Sequence, residues 1–147
     1  MINVRKAVKE DLPAVLELYK QPDMDDGHVL AIEEAERIFE RMQNYPDYAI
    51  YVAELDGQIV GTFALAILDN LAHMGVKSAL VEDVVVSPEF QRHGIGRQMM
   101  RSAMALCKEK GCYKLALSSN VKRENAHRFY EKLGFRIQGY SFWIDLD

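Results

Sequence analysis

Val84-Val85-Val86-Ser87-Pro88-Glu89-Phe90-Gln91-Arg92-His93-Gly94-Ile95-Gly96 is the stretch on which the fold turns. Three β-branched residues favour an extended strand. Pro88 ends it, because proline cannot donate to a ladder. Apolar residues at helical spacing follow at once, with Ile95, Met99, Ala103, Leu106 and Cys107 on the inward side. The segment therefore reads as a strand that delivers a glycine-bearing turn into a helix N-terminus. Such a turn aims several backbone N–H groups at one point, where the helix dipole also favours negative charge. Gly94 and Gly96 remove side chains where a ligand must touch the backbone. Arg97 adds a full charge on the first helical turn. A diphosphate suits this arrangement better than a carboxylate, since it presents more acceptor oxygens. Glycine used for tight strand–helix packing would give the same heptapeptide, so Gln91 to Arg97 alone does not decide the matter.

The rest of the chain is consistent with one domain of 147 residues and one core. Ile2 to Arg5 reads as a strand. Leu12, Val15, Leu16 and Tyr19 repeat at helical spacing, with Pro13 in the first turn. Gln21 to Gly27 is a polar loop holding Asp23, Asp25 and Asp26. Ala31, Ala35, Ile38, Phe39 and Met42 form the apolar face of a second helix. Tyr48 to Leu55 and Ile59 to Leu68 are strands joined by Asp56-Gly57, a hairpin turn signal. Asp69 to Lys77 is a loop. Ser78 to Val86 is a nearly all-apolar strand, which predicts burial on both faces. The main helix runs from about Gly94 to Lys110, closed by Gly111. Tyr113 to Leu117 is a strand, Arg123 to Leu133 a fourth helix, and Tyr140, Phe142, Ile144 and Leu146 alternate as a final strand. The order is a mixed sheet covered by helices.

Composition excludes several classes. Apolar residues make up 49% and charged residues 27%, as in a globular protein. The net charge of −4 offers no basic excess for a nucleic-acid backbone. No apolar run reaches the roughly 20 residues that span a bilayer, and Met1 to Lys6 lacks the apolar stretch of a signal peptide. Cys107 and Cys112 have no metal-type spacing, which predicts core thiols in a reducing cytoplasm. His28, His73 and His127 are scattered, so no metal site is read.

Gln-x-x-Gly-x-Gly after a Val-rich strand resembles motif A of the GNAT N-acetyltransferase superfamily. Asn125-Ala126-His127-Arg128-Phe129-Tyr130-Glu131-Lys132-Leu133-Gly134-Phe135 is similar to that family's later motif, a helix ending in Tyr-Glu-Lys-x-Gly-Phe. The two stand in the family's order with one helix and one strand between them. The resemblance covers essentially the whole chain. It implies an α/β GNAT fold, a mixed, mostly antiparallel sheet flanked by about four helices, as a single domain over residues 1–147. It also implies acetyl-coenzyme A as donor. The strand before the cradle would be bulged, and Val84, Val85 and Val86 would pair with the pantetheine arm as an added strand does. Amides of Gln91, Arg92, His93, Gly94, Ile95, Gly96 and Arg97 would hold the pyrophosphate. The thioester would lie where Val86 and the strand ending at Leu117 splay apart. Many members carry an asparagine seven residues before the tyrosine. Here that position is Arg123, so the role falls to Asn120 or Asn125, with Phe129 beside the coenzyme.

Acetyl transfer to an amine needs a neutral amine, a donor at the carbonyl oxygen and an acid near the departing thiolate. Glu82 is the expected base, directly or through water, because it stands on an otherwise apolar strand that would desolvate it. Asp83 replaces it if a bulge shifts the register. Both could instead anchor a sheet end as ion pairs. Tyr130 is the expected acid, its phenol titrating ordinarily near 10. The carbonyl donor, by resemblance, is the backbone N–H of Val84 or a neighbour. Asp23, Asp25 and Asp26 form a solvated loop or attract a cationic amine; Lys122, Arg123 and Arg128 meet an acceptor phosphate or the coenzyme's own. Phe142 and Trp143 are expected in packing or dimer contact, and homodimers are common in the family.

Ser118 to Tyr130 is similar to the corresponding stretch of aminoalkylphosphonate N-acetyltransferases. Glu82 to Val86 and Gly111 to Leu115 resemble segments of glucosamine-6-phosphate N-acetyltransferases. Both point to a small phosphorylated or phosphonylated amine as acceptor. The competing readings are a non-catalytic acyl-coenzyme A sensor, which keeps the cradle without a base, and a structural domain whose turn binds nothing.

Overall fold

The computed structural model of the protein describes residues 1–146. It divides into two compact units, Met1–Ala116 and a second beginning at Leu117. The first holds a five-stranded sheet in the order β1-β2-β3-β4-β5. These strands are β1 (Ile2–Lys6), β2 (Tyr48–Leu55), β3 (Gln58–Leu68), β4 (Ser78–Val86) and β5 (Leu115–Ala116). Consecutive pairs from β1 to β4 are antiparallel and β4 pairs β5 in parallel. The β2–β3 connection is the expected tight hairpin. Asp56 and Gly57 both have positive φ, 50° and 80°, as a turn matching the strand twist requires.

Helices α1 (Leu12–Tyr19), α2 (Ile32–Met42) and α3 (Ile95–Glu109) belong to the same unit. Both α1 and α3 pack on β3 and β4. The core gathers Val15, Val52, Val60, Phe63, Leu65, Val81, Ile95, Met99 and Met100, all nearly inaccessible. Tyr51 stacks on Phe63 with ring centroids 5.2 Å apart. Asp11 is a buried charge at the start of α1. Arg5 grips it through two bonds, of 2.7 and 3.0 Å, and the Val8 N–H adds a third at 2.8 Å. This satisfies a group that would otherwise be costly to bury.

The C-terminus of α3 closes as a Schellman motif. Gly111, at φ 81°, permits the Cys112 N–H to reach the Cys107 carbonyl at 2.9 Å and its own N–H to reach Lys108 at 3.1 Å. The second unit contains α4 (Glu124–Lys132).

Four expectations change. Tyr140 to Leu146 form no strand; Tyr140, Phe142, Trp143, Ile144 and Leu146 are exposed. Alternation marks a face, but a strand exists only where a neighbour completes its ladder. For the same reason the strand expected over Tyr113 to Leu117 is confined to Leu115–Ala116. Strand β4 is not buried on both faces: Ala79, Val81 and Val85 are buried, whereas Glu82 and Asp83 are exposed. In the helices, Leu18 is buried and Leu16 only half-buried, and Met100 takes the deep position expected of Leu106.

Candidate active site

Strand β4 departs from regularity beside the cradle. Ala64 faces Glu82 and Thr62 faces Val85, so Phe63 spans Asp83 and Val84 together. The extra residue is a β-bulge, which bends the strand and re-aims its side chains. Asp83 sits at its centre with φ 54°, a region that Asp tolerates better than most residues. Of the three valines expected to meet the pantetheine arm, Val84 lies in the bulge, whereas Val85 and Val86 are back in register against Thr62 and Gly61. On its other side β4 pairs β5 only through Ala79 and Leu80. The edge from Val81 to Val86 has no strand partner there among the described residues. Side chains hold its end: Gln21 Nε2 donates to the Val86 carbonyl at 3.0 Å, and Gln91 Nε2 donates to it at 3.4 Å.

The turn that follows is ordered by few bonds of its own. The Ser87 N–H donates to Val60 at 2.8 Å, and Pro88–Phe90 makes one short helical turn. Gln91 is extended, Arg92 has φ 69° and Gly94 has φ 79°. The first helical bond of α3 runs from Gln98 to the Gly94 carbonyl, 3.1 Å. No backbone N–H from Gln91 to Arg97 donates to an acceptor among the described residues. Unpaired donors of this kind are tolerated only where water or a ligand reaches them. Gln91, Arg92, His93, Gly94 and Arg97 are exposed, and Gly96 is half-buried. A methyl group built on Gly94 meets nothing within 4 Å, so the space before the turn is open. Ile95 alone points inward, 1% exposed. Gly61 lies close against α3: a Cβ there would come within 2.8 Å of Met99 Sδ, so any larger residue would require the Met99 side chain to shift.

The carboxylates of β4 differ. Protein matter around Asp83 withdraws enough water to push its carboxyl above the ordinary carboxylate range, and the negative charge of Asp25 adds to the effect. Tyr19 and Tyr48 feel Asp83 in turn. Burial chiefly, then the Asp83 charge, pushes both phenols upward. The desolvation that motivated the choice of Glu82 acts on Asp83, the residue in the bulge. Tyr19, Tyr48 and Asp25 were not singled out with it from sequence, since a loop, a helix and two strands converge only in the fold.

The second unit places the later motif on α4. Tyr130 is half-buried, edge-on to Phe129 at 5.2 Å and to Phe135 at 5.7 Å. Burial pushes its phenol up, partly opposed by Arg123. Asn120 is occupied as a turn former. Its side-chain oxygen accepts the Lys122 N–H at 2.9 Å, and its backbone carbonyl accepts the Arg123 N–H at 3.0 Å and lies 2.8 Å from His127 Nε2. Asn125 Oδ1 accepts from the Arg128 guanidinium. Each asparagine therefore retains its amide N–H donors, but not a free side-chain oxygen. Ser119 Oγ is buried without a partner among the described residues, a group that sequence gave no reason to notice.

The acetyltransferase (GNAT) family model matches residues 12–135. Glucosamine 6-phosphate N-acetyltransferase of Trypanosoma brucei brucei is 34% identical over 97 residues, covering 66% of this chain and 64% of that protein. Aminoalkylphosphonate N-acetyltransferase of Salmonella typhimurium is 27% identical with 97% of both chains covered. Among solved structures, glucosamine-6-phosphate N-acetyltransferase from Arabidopsis thaliana superposes with a TM-score of 0.86 at 29% identity, over 100% of this chain and 99% of that one. With the cradle, the bulged strand and a family match spanning most of its length, this chain belongs to the GNAT acetyltransferase family.

Proposed function

We propose that this protein moves an acetyl group from acetyl-coenzyme A to the primary amine of a small phosphorylated or phosphonylated molecule, by direct attack within a ternary complex. The observation that carries the reading is the open run of unpaired N–H groups from Gln91 to Arg97 at the N-terminus of α3. These donors fit a diphosphate, and the edge of Val84 to Val86, which pairs with no strand on that side among the described residues, fits the amide-bearing arm that continues from it. Amide donors of Asn120 or Asn125, with Phe129, complete the coenzyme contacts by motif position. Acetyl-coenzyme A supplies the activated acyl group; the chain orients it, receives the acceptor's proton on Glu82, directly or through water, or on Asp83 in its place, and offers the Tyr130 phenol to the leaving thiolate. The Val84 N–H is the proposed donor to the thioester carbonyl. The acceptor class rests on the named relatives.

We place the reaction in a reducing cytoplasm, in keeping with the free thiols Cys107 and Cys112, and assign the whole chain to one functional domain. The exposed run Tyr140, Phe142, Trp143, Ile144 and Leu146 supports a homodimer, which light scattering would test.

The decisive assay is thiol release from acetyl-coenzyme A over amino-sugar phosphates, aminophosphonates, polyamines and amino acids. Turnover on a phosphorylated or phosphonylated amine is expected. Tyr130→Phe should lower kcat by about 10²-fold or more with little change in coenzyme affinity. Tight coenzyme binding with no turnover on any amine would instead support a sensor.

A further inference from the structure

We propose that the Gln21 side chain is a stand-in for the coenzyme's arm: its carboxamide, with that of Gln91, holds the Val86 carbonyl until an amide of the arm takes that position and releases the acidic loop that Gln21 tethers. The inference rests on the acetyl-coenzyme A reading above and adds to it a residue that responds to the arm. The peptide unit joining Val86 to Ser87 sets the geometry. Its N–H, that of Ser87, donates to Val60 on β3 at 2.8 Å. In a trans peptide the carbonyl points the opposite way. The Val86 carbonyl therefore faces the side of β4 that has no strand partner at this position among the described residues. An arm added along this edge as a strand would be needs outward-pointing carbonyls to accept its amide N–H groups. The Val86 carbonyl instead accepts two side-chain amides, Gln21 Nε2 at 3.0 Å and Gln91 Nε2 at 3.4 Å. A glutamine carboxamide and the amides of the pantetheine arm present the same N–H donor, so one can take the place of the other.

Gln21 is also the point where the loop after α1 is tied down. Its backbone carbonyl accepts the Met24 N–H at 3.0 Å and the Asp26 N–H at 3.1 Å. The Gly27 N–H donates to Lys20 at 2.8 Å, with Asp26 and Gly27 at φ 50° and 84°. The loop thus folds back on its own first residue, and that residue reaches the strand. No other hydrogen bond among the described residues joins residues 21–27 to the sheet. Asp23, Asp25 and Asp26 are carried on this loop, all exposed. Displacing one side-chain amide therefore loosens three carboxylates at the end of β4 and leaves the core undisturbed. Seating of the arm and freedom of the acidic loop are coupled through a single residue.

The test compares wild type with Gln21→Ala by titration calorimetry against acetyl-coenzyme A and against 3′-phospho-ADP, which carries the diphosphate but no arm. Removing the stand-in should tighten acetyl-coenzyme A binding by about 2–10-fold, the net worth of one hydrogen bond. Binding of 3′-phospho-ADP should not change. Hydrogen exchange gives a second readout that needs no variant. In wild type the Met24 and Asp26 amides should exchange faster with acetyl-coenzyme A bound, and at their original rate with 3′-phospho-ADP. Unchanged or weaker acetyl-coenzyme A binding in Gln21→Ala would overturn the proposal, as would an equal gain for both ligands. Loop amides that acetyl-coenzyme A slows or leaves alone would overturn it as well. Each of these results leaves acetyl transfer intact. Wild type that binds neither ligand and releases no thiol would overturn the parent reading.

Discussion

Replacing Gly94 and Gly111 by alanine, one at a time, separates the two jobs that glycine does on α3. Both residues have nearly the same backbone conformation, φ 79° and 81°, and a methyl group on either meets nothing within 4 Å. The substitution therefore adds backbone strain without a clash, about 1–2 kcal/mol for an L-residue in the left-handed region. Gly111 ends the helix away from the cradle, so its strain falls on stability alone. For a chain of 147 residues, this predicts a Tm lower by about 2–8 °C, at roughly 2–4 °C per kcal/mol. Acetyl-coenzyme A affinity should not change. Gly94 is different because its turn is exposed and lightly bonded. The free protein can relax the turn to relieve strain, and a bound diphosphate must then restore it. The same 1–2 kcal/mol, roughly, is divided between stability and binding, and a full transfer to binding would weaken Kd about 5–30-fold. Differential scanning calorimetry and titration calorimetry on both variants measure the two shares. If Gly94→Ala bound acetyl-coenzyme A as wild type does, with undiminished Tm, the turn would not be what the ligand grips. Equal loss of affinity in Gly111→Ala would refute the separation of the two ends.

The Arg5–Asp11 pair makes a pH prediction. Arg5 holds the Asp11 carboxyl below the usual range, chiefly by hydrogen bonding, against the opposing cost of burial. A depressed native value means that the unfolded chain binds the proton first as pH falls. The stabilisation is present above the unfolded value and is lost as pH drops through the native one. Asp11→Asn should cost about 1–3 kcal/mol at neutral pH, and urea melts should show the gap to wild type closing in acid; a gap constant with pH would refute the charge account. The two thiols should react in order. Burial, with Cys112 contributing, pushes the Cys107 thiol up to about 11. Iodoacetamide near neutral pH should therefore label half-buried Cys112 first and Cys107 only on unfolding, and equal labelling of the native protein would contradict the burial.

Much of the architecture was legible because local chemistry and periodicity agreed. Asp56-Gly57 could form little but a hairpin turn, Gly111 ended α3 where positive φ was needed, and the inward spacing of Ile95, Met99, Ala103 and Cys107 matches what is buried. The turn and its unpaired N–H groups were legible for the same reason: these donors come from consecutive residues, so one segment contains the whole arrangement. The bulge was anticipated only through the family resemblance, and with it the alternative that Asp83 takes the place of Glu82. Register decides the face on which each residue of a strand lies, and one extra residue in a bulge shifts it, which a sequence pattern alone does not locate.

The chain's own order of residues was enough to determine the strand–turn–helix, its unpaired amides and the family to which they belong, since these depend on φ, helix polarity and side-chain absence over a few neighbouring positions. Only the tertiary structure decided that Asp83 lies in a bulge of β4 while Glu82 stays in register, and that the Asp83 charge acts on Tyr19 and Tyr48. It also decided that the alternating Tyr140 to Leu146 forms no strand. Desolvation, mutual charge and ladder pairing are properties of what lies nearby in space, and residues far apart along a chain acquire them only when the sheet and its helices are assembled.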